Sequence, residues 1–135
     1  MVGTVNALIE LHDSTVSEIA ELDDAVIVHF LPAYLHKSGG RPGFDAGTGW
    51  LQDARLIFSD ATVSGCAPDL PSDVMNGELI VGAERHANEI PAPLSATALT
   101  ELRLDFDALH TVTVAGHGVR LELLGEPRYV EEFKP

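Results

Sequence analysis

Leu11-His12-Asp13-Ser14 sets a base, an acid and a hydroxyl side by side. Those types carry nucleophilic catalysis when a fold brings them within hydrogen-bond reach of one another. Immediate neighbours on a strand point to opposite faces, so adjacency alone does not assemble a triad. Asp13 and Ser14 also bond nearby backbone amides readily, and a turn accounts for the cluster without catalysis. His12 and Asp13 stand as candidate ligand-binding residues. The other histidines are His29, His36, His86, His110 and His117. No two of the six keep an H-x-H, H-x-x-x-H or H-E-x-x-H spacing, so no metal site is expected. His29, within an apolar run, reads as a core or core-edge residue. His86 and His110, with His12, are the candidates for the rim of a ligand pocket.

Other chemistry is thinly supported. The stretch 38–49 holds five glycines and a proline. It lacks G-K-[ST] and G-x-G-x-x-G, and no clear helix follows, so its glycines read as turn formers and no cofactor is expected. Trp50 closes that stretch and is a candidate binding aromatic as well as a core anchor. Cys66 is the only cysteine, which excludes an intrachain disulfide and a multi-cysteine zinc site. It has no basic neighbour to activate its thiol, and no G-x-S-x-G elbow is present.

These side chains need elements to position them. At 135 residues the chain suits one domain, 1–135, with its own core. The stretches 38–49, 65–73 and 86–96 read as loops from their glycine, proline and asparagine content. Between them, Val26–Leu31, Arg55–Phe58 and Glu78–Val81 read as buried strands. Further on, Leu102, Leu104 and Phe106, then Val112 and Val114, then Val119, Leu121 and Leu123 alternate with polar residues. That pattern predicts a three-stranded antiparallel meander. Turns at Asp107-Ala108-Leu109 and at Gly116-His117-Gly118 would pair Leu102 with Val114, Leu104 with Val112, Phe106 with His110 and Val114 with Val119. One dry face results, on which His110 and Leu123 also fall. Gly125-Glu126-Pro127 is expected to turn the chain into a last strand, 128–133. Residues 4–22 fit strands, with room for one short helix. The fold class is therefore all-β: an antiparallel β-sandwich or partly open barrel of about seven to nine strands.

Acidic residues outnumber basic ones 21 to 8, a formal charge of −13. Such a chain is ill suited to nucleic acid or anionic lipid, which require lysine and arginine. No apolar run approaches the ~20 residues of a membrane span, and no signal-peptide pattern opens the chain, so a cytoplasmic protein is expected. Two lysines against six arginines and fifteen alanines match a GC-rich bacterial genome.

The LHDS motif at 11–14, ahead of VIVHF at 26–30, resembles small bacterial proteins of unknown function, some similar to immunity proteins of polymorphic toxin systems. The resemblance implies an all-β protein-binding module and carries over no catalytic residue. Two functions are expected from these readings. The first is a non-enzymatic acidic interaction module with a basic protein partner. The second is a small-ligand-binding β-barrel, or a small hydrolase, with histidines at a pocket rim. A homodimer is expected through residues 128–133 or the loop around Phe44 and Trp50.

Overall fold

The computed structural model describes residues 6–134. Strands make up 71% of the described residues and helix 2%, in two antiparallel sheets without barrel closure. The all-β expectation holds, in its sandwich form, with thirteen strands among the described residues in place of the seven to nine expected, because several are only two to four residues long. In chain order the strands are β1 (Asn6–Glu10), β2 (Thr15–Leu22), β3 (Ala25–Ser38), β4 (Gly47–Phe58), β5 (Thr62–Gly65), β6 (Ser72–Asp73) and β7 (Asn76–Val81). They continue as β8 (Glu84–Ala87), β9 (Glu89–Ala92), β10 (Ser95–Ala96), β11 (Thr100–Asp107), β12 (His110–Gly116) and β13 (Val119–Phe133). Among the described residues a single 3-10 turn, Leu11–Asp13, joins β1 to β2. Residues 6–22 are thus strands with one short helical turn.

The larger sheet runs β10-β13-β4-β3-β1-β9, with β2 and β6 on a branch beside β3. The smaller runs β5-β12-β11-β7-β8. Val26, Val28, Phe30, Leu56 and Phe58 from the first meet Leu79, Leu102, Leu104, Val112 and Val114 from the second in one core. None of these ten exceeds 2% exposure, so each contributes close to its full apolar transfer energy, about 1.5–3 kcal/mol.

β3 organises the larger sheet. Its first half pairs with β2 and its second with β1, while β4 runs along the whole of its other edge. Between Phe30 and Ala33 it carries one residue more than β4 opposite, a bulge holding Pro32. Proline has no N–H for the ladder, and bulges accommodate it. The extra residue reverses the alternation. Val26, Val28 and Phe30 face the core before the bulge; Ala33 and Leu35 do so after it. Tyr34 and His36 are thereby sent to the outer face of the sheet, where flanking segments cover them.

The β11–β12 hairpin has the expected register at Leu102–Val114 and Leu104–Val112. Near its turn a bulge between Asp105 and Asp107 pairs His110 with Asp107 instead of Phe106. His110 therefore leaves the dry face and bonds Asp107 at 2.8 Å. The expected second hairpin does not form. β5 already occupies the free edge of β12, and β13 crosses to the other sheet to pair with β4. Gly118, at φ +143, lets the chain swing across. Ser59 pins the crossing: its carbonyl accepts from His117 N–H at 2.9 Å and its N–H donates to the Gly118 carbonyl at 3.1 Å. Val119 still reaches the core, now from the opposite side, whereas Leu123 is 41% exposed and not on a dry face.

The expected last strand is the far end of β13, which bulges at Gly125-Glu126-Pro127 rather than turning. Nor is 86–96 mainly a loop, because it contains β9 and β10. β9 lies at the edge of its sheet, where Pro91 is tolerated.

Candidate functional site

On the outer face of the larger sheet, the side chains re-aimed by the bulge form the floor of a pocket of about 390 Å³. Tyr34 and His36 come from β3, Leu8 and Glu10 from β1, and Glu131 and Phe133 from the end of β13. Ladder pairing sets Leu8 beside His36 and Glu10 beside Tyr34. Gly43 and Phe44 in the β3–β4 loop, with Ala87, Asn88 and Glu89, form further walls. Asp13 projects from the 3-10 turn into the same space.

Each polar group on the floor is held. Tyr34 Oη donates to Glu131 Oε1 at 2.6 Å. Burial first, and then that bond to Glu131, push the phenol well above its ordinary value of 10.0, so it stays neutral at physiological pH. A Cβ on Gly49 would stand 2.0 Å from Tyr34 Oη, so only glycine leaves room for the phenol. The His36 ring lies edge-on to Tyr34 and to Phe133, with centroids 5.0 and 5.5 Å away. Its Nε2 contacts Glu10 Oε2, while its Nδ1 is buried without a partner.

The 3-10 turn is clamped from below. Leu11 is fully buried, and its N–H donates to the Asn88 carbonyl at 3.0 Å. Ser14 Oγ donates to the Glu10 carbonyl at 2.7 Å and accepts from Tyr34 N–H at 2.9 Å. Ser14 thus does the backbone work expected of a turn. Above it, His12 Nδ1 lies 2.8 Å from Glu10 Oε1 and 2.5 Å from Asn88 Nδ2, and His12 Nε2 lies 3.3 Å from Asp13.

Of the five residues singled out from the sequence, His12 and Asp13 belong to this site. The other three lie elsewhere. His86 is on β8 in the smaller sheet, opposite Leu79 and 3.5 Å from Glu84. His110 sits at the β11–β12 turn. Trp50 projects from the opposite face of the larger sheet, edge-on to Tyr129 at 5.4 Å and under the Lys37 ammonium at 4.8 Å. Near it a groove of about 510 Å³ is lined by Ala7, Lys37, Ala92, Pro93, Leu121 and Leu123. His29 is half-buried on the outer face, beside Arg55.

Sequence reasoning missed Glu10, Tyr34, His36, Asn88, Glu89 and Glu131. One signal was available: after Pro32, Tyr34 and His36 alternate with Ala33, Leu35 and Lys37, the period-2 mark of a continuing strand.

Glu10, Asp13, Glu89 and Glu131 put four carboxylates around one aromatic-walled pocket, and no arginine or lysine lines it. Among the described residues none of the four pairs with Arg or Lys; the ion-pair partners of Glu10 and Asp13 are histidines. Such a pocket is built to hold positive charge. No family model, curated protein or solved structure matches the chain.

Proposed function

We propose that the protein is a non-enzymatic acidic interaction module whose pocket receives a guanidinium or ammonium side chain of a basic protein partner. One observation carries this reading: four carboxylates without an Arg or Lys counter-ion converge on a pocket walled by Tyr34 and Phe133, and by Phe44, over whose ring the Arg41 guanidinium already lies at 3.7 Å. Aromatic faces attract cations, and partly desolvated carboxylates bond guanidinium strongly. The protein's −13 charge would steer a basic partner toward the pocket.

Calorimetric titration with an arginine-rich peptide, in EDTA, tests the reading. Binding should weaken steeply with added salt. Glu131→Gln and Glu89→Gln should each cost about 1.5–3 kcal/mol, or about 10–100-fold in Kd. Equal affinity in both variants, or binding indifferent to salt, would overturn it. A second reading, small-ligand binding, is favoured by the same convergence of polar groups in a pocket of several hundred Å³. Free arginine amide distinguishes the two: affinity equal to that of the peptide assigns the pocket to a small cation.

The expected homodimer remains part of this proposal. Leu123, Leu124, Tyr129 and Val130 are exposed on β13, whose outer edge, among the described residues, pairs only with the two residues of β10. Two bulges break the regularity of β13 along its ladder with β4, so the contact would be made by apolar side chains rather than by an extended ladder. High salt should strengthen it by screening two acidic protomers. Sedimentation at one protomer mass in both low and high salt would refute it. Cytoplasmic residence belongs to the same reading; no helix among the described residues is long and apolar enough to cross a membrane.

A further inference from the structure

We infer that the 3-10 turn carries a site for a divalent transition ion of the zinc class, with Glu10, His12 and Asp13 as its ligands. One ligand atom from each lies within 4.8 Å of the others. Tetrahedral zinc, with metal–ligand distances of about 2.0–2.2 Å, sets its donors roughly 3.4 Å apart. His12 and Asp13 are exposed, so small rotations of two solvated side chains close that difference. The backbone beneath them does not move freely, since Leu11 is buried and Ser14 ties the turn to Glu10 and Tyr34.

A second, independent feature points to the same place. His36 is more than nine-tenths buried, lines the pocket, and leaves its Nδ1 without a partner. Its Nε2 contacts Glu10 Oε2, the oxygen not used by His12, and so turns Oε1 toward the turn. Metal-binding carboxylates are regularly oriented by such a neighbouring hydrogen bond.

The donor set selects the ion. An imidazole with two carboxylates suits zinc, nickel or ferrous iron, whereas magnesium and calcium prefer all-oxygen shells. Three protein ligands leave at least one coordination position open toward the pocket. The inference does not depend on the peptide reading, because that reading is tested in EDTA and through Glu89 and Glu131.

The experiment is calorimetric titration of zinc chloride into the EDTA-stripped full chain, repeated with magnesium and calcium, with cobalt as a spectroscopic reporter. One zinc per chain is expected, with ligand-field bands from cobalt and at least tenfold weaker magnesium and calcium binding. His12→Ala and Asp13→Asn should each weaken zinc binding tenfold or more. His36→Gln, a positioning variant, should weaken it by about 10–100-fold and shift the cobalt bands. His110→Ala removes a distant histidine and should change nothing. Zinc binding that survives His12→Ala, or that falls equally in His110→Ala, would overturn the site. So would equal affinity for calcium, or no zinc binding at all.

Discussion

Gly49 governs the pocket at the scale of a single atom. Adding a methyl group there would drive Tyr34 Oη off Glu131, because the new carbon would sit 2.0 Å from it. Gly49→Ala should therefore cost about 1–3 kcal/mol of stability, the usual penalty of overpacking, read as a lower urea midpoint. It should also release the phenol. In a Tyr129→Phe background Tyr34 is the one remaining tyrosine, and absorbance titration follows it alone. It should ionise well above 10.0, and nearer to 10.0 once Gly49 is also replaced. Because the folded value is raised, Tyr34's contribution to stability is whole below 10.0 and is lost as pH rises from there through the folded value. An unchanged Tyr34 titration in Gly49→Ala would contradict the packing argument. His12 and Asp13 were legible as candidates because their residue types are unusual beside one another. Glu10, Tyr34, His36 and Glu131 were not, because three separate strands and one bulge bring them together.

Between elements, the ladder of β4 and β13 carries an ion pair in which Arg55 Nε donates to Glu122 Oε2 at 2.6 Å. That bond holds the Glu122 carboxyl below its ordinary 4.5, with Arg120 assisting. A carboxyl depressed in the folded state contributes stability above its unfolded value and loses it as pH falls through the folded one. Arg55→Gln should flatten the loss of stability below about pH 4.5, measured as urea midpoints across the acid range. If its acid limb matches that of the parent, the pair does not act this way. The element scale also shows where sequence reading stops. The β11–β12 register followed from alternation, since a one-residue slip would bury charges. The destination of β13 did not follow. Val119 and Leu121 need an apolar partner, and alternation does not say which of two facing sheets supplies it.

For the whole molecule, short apolar runs and period-2 alternation were enough to fix an all-β fold, because burying one face of each strand leaves few architectures. The outer pocket was invisible at that level: it lies outside the core, on a face alternation assigns to solvent. Charge is the global property that remains. A net −13 on a fold this small repels itself, and the acidic pocket concentrates part of that repulsion. Adding sodium chloride should raise the melting temperature by screening it. Scanning calorimetry at low and high salt measures this, and a melting temperature that stays flat or falls would remove self-repulsion from the account. Phe58→Ala, at the centre of the core, should cost about 3–5 kcal/mol at either salt concentration.

The bulge at Pro32 makes the pocket a matter of parity. Run as a regular strand, the same residues would turn Tyr34 and His36 into the core and Ala33 and Leu35 out of it. Losing one residue between Phe30 and Ala33 has the opposite result: Ala54 and Gln52 opposite are themselves two residues apart, so the strand straightens and Tyr34 and His36 stay outward. The pocket therefore tolerates a deletion at the bulge but not a ladder that absorbs both Leu31 and Pro32 without a bulge. A search for relatives that share the pocket should accept a step of either two or three residues between the counterparts of Phe30 and Ala33.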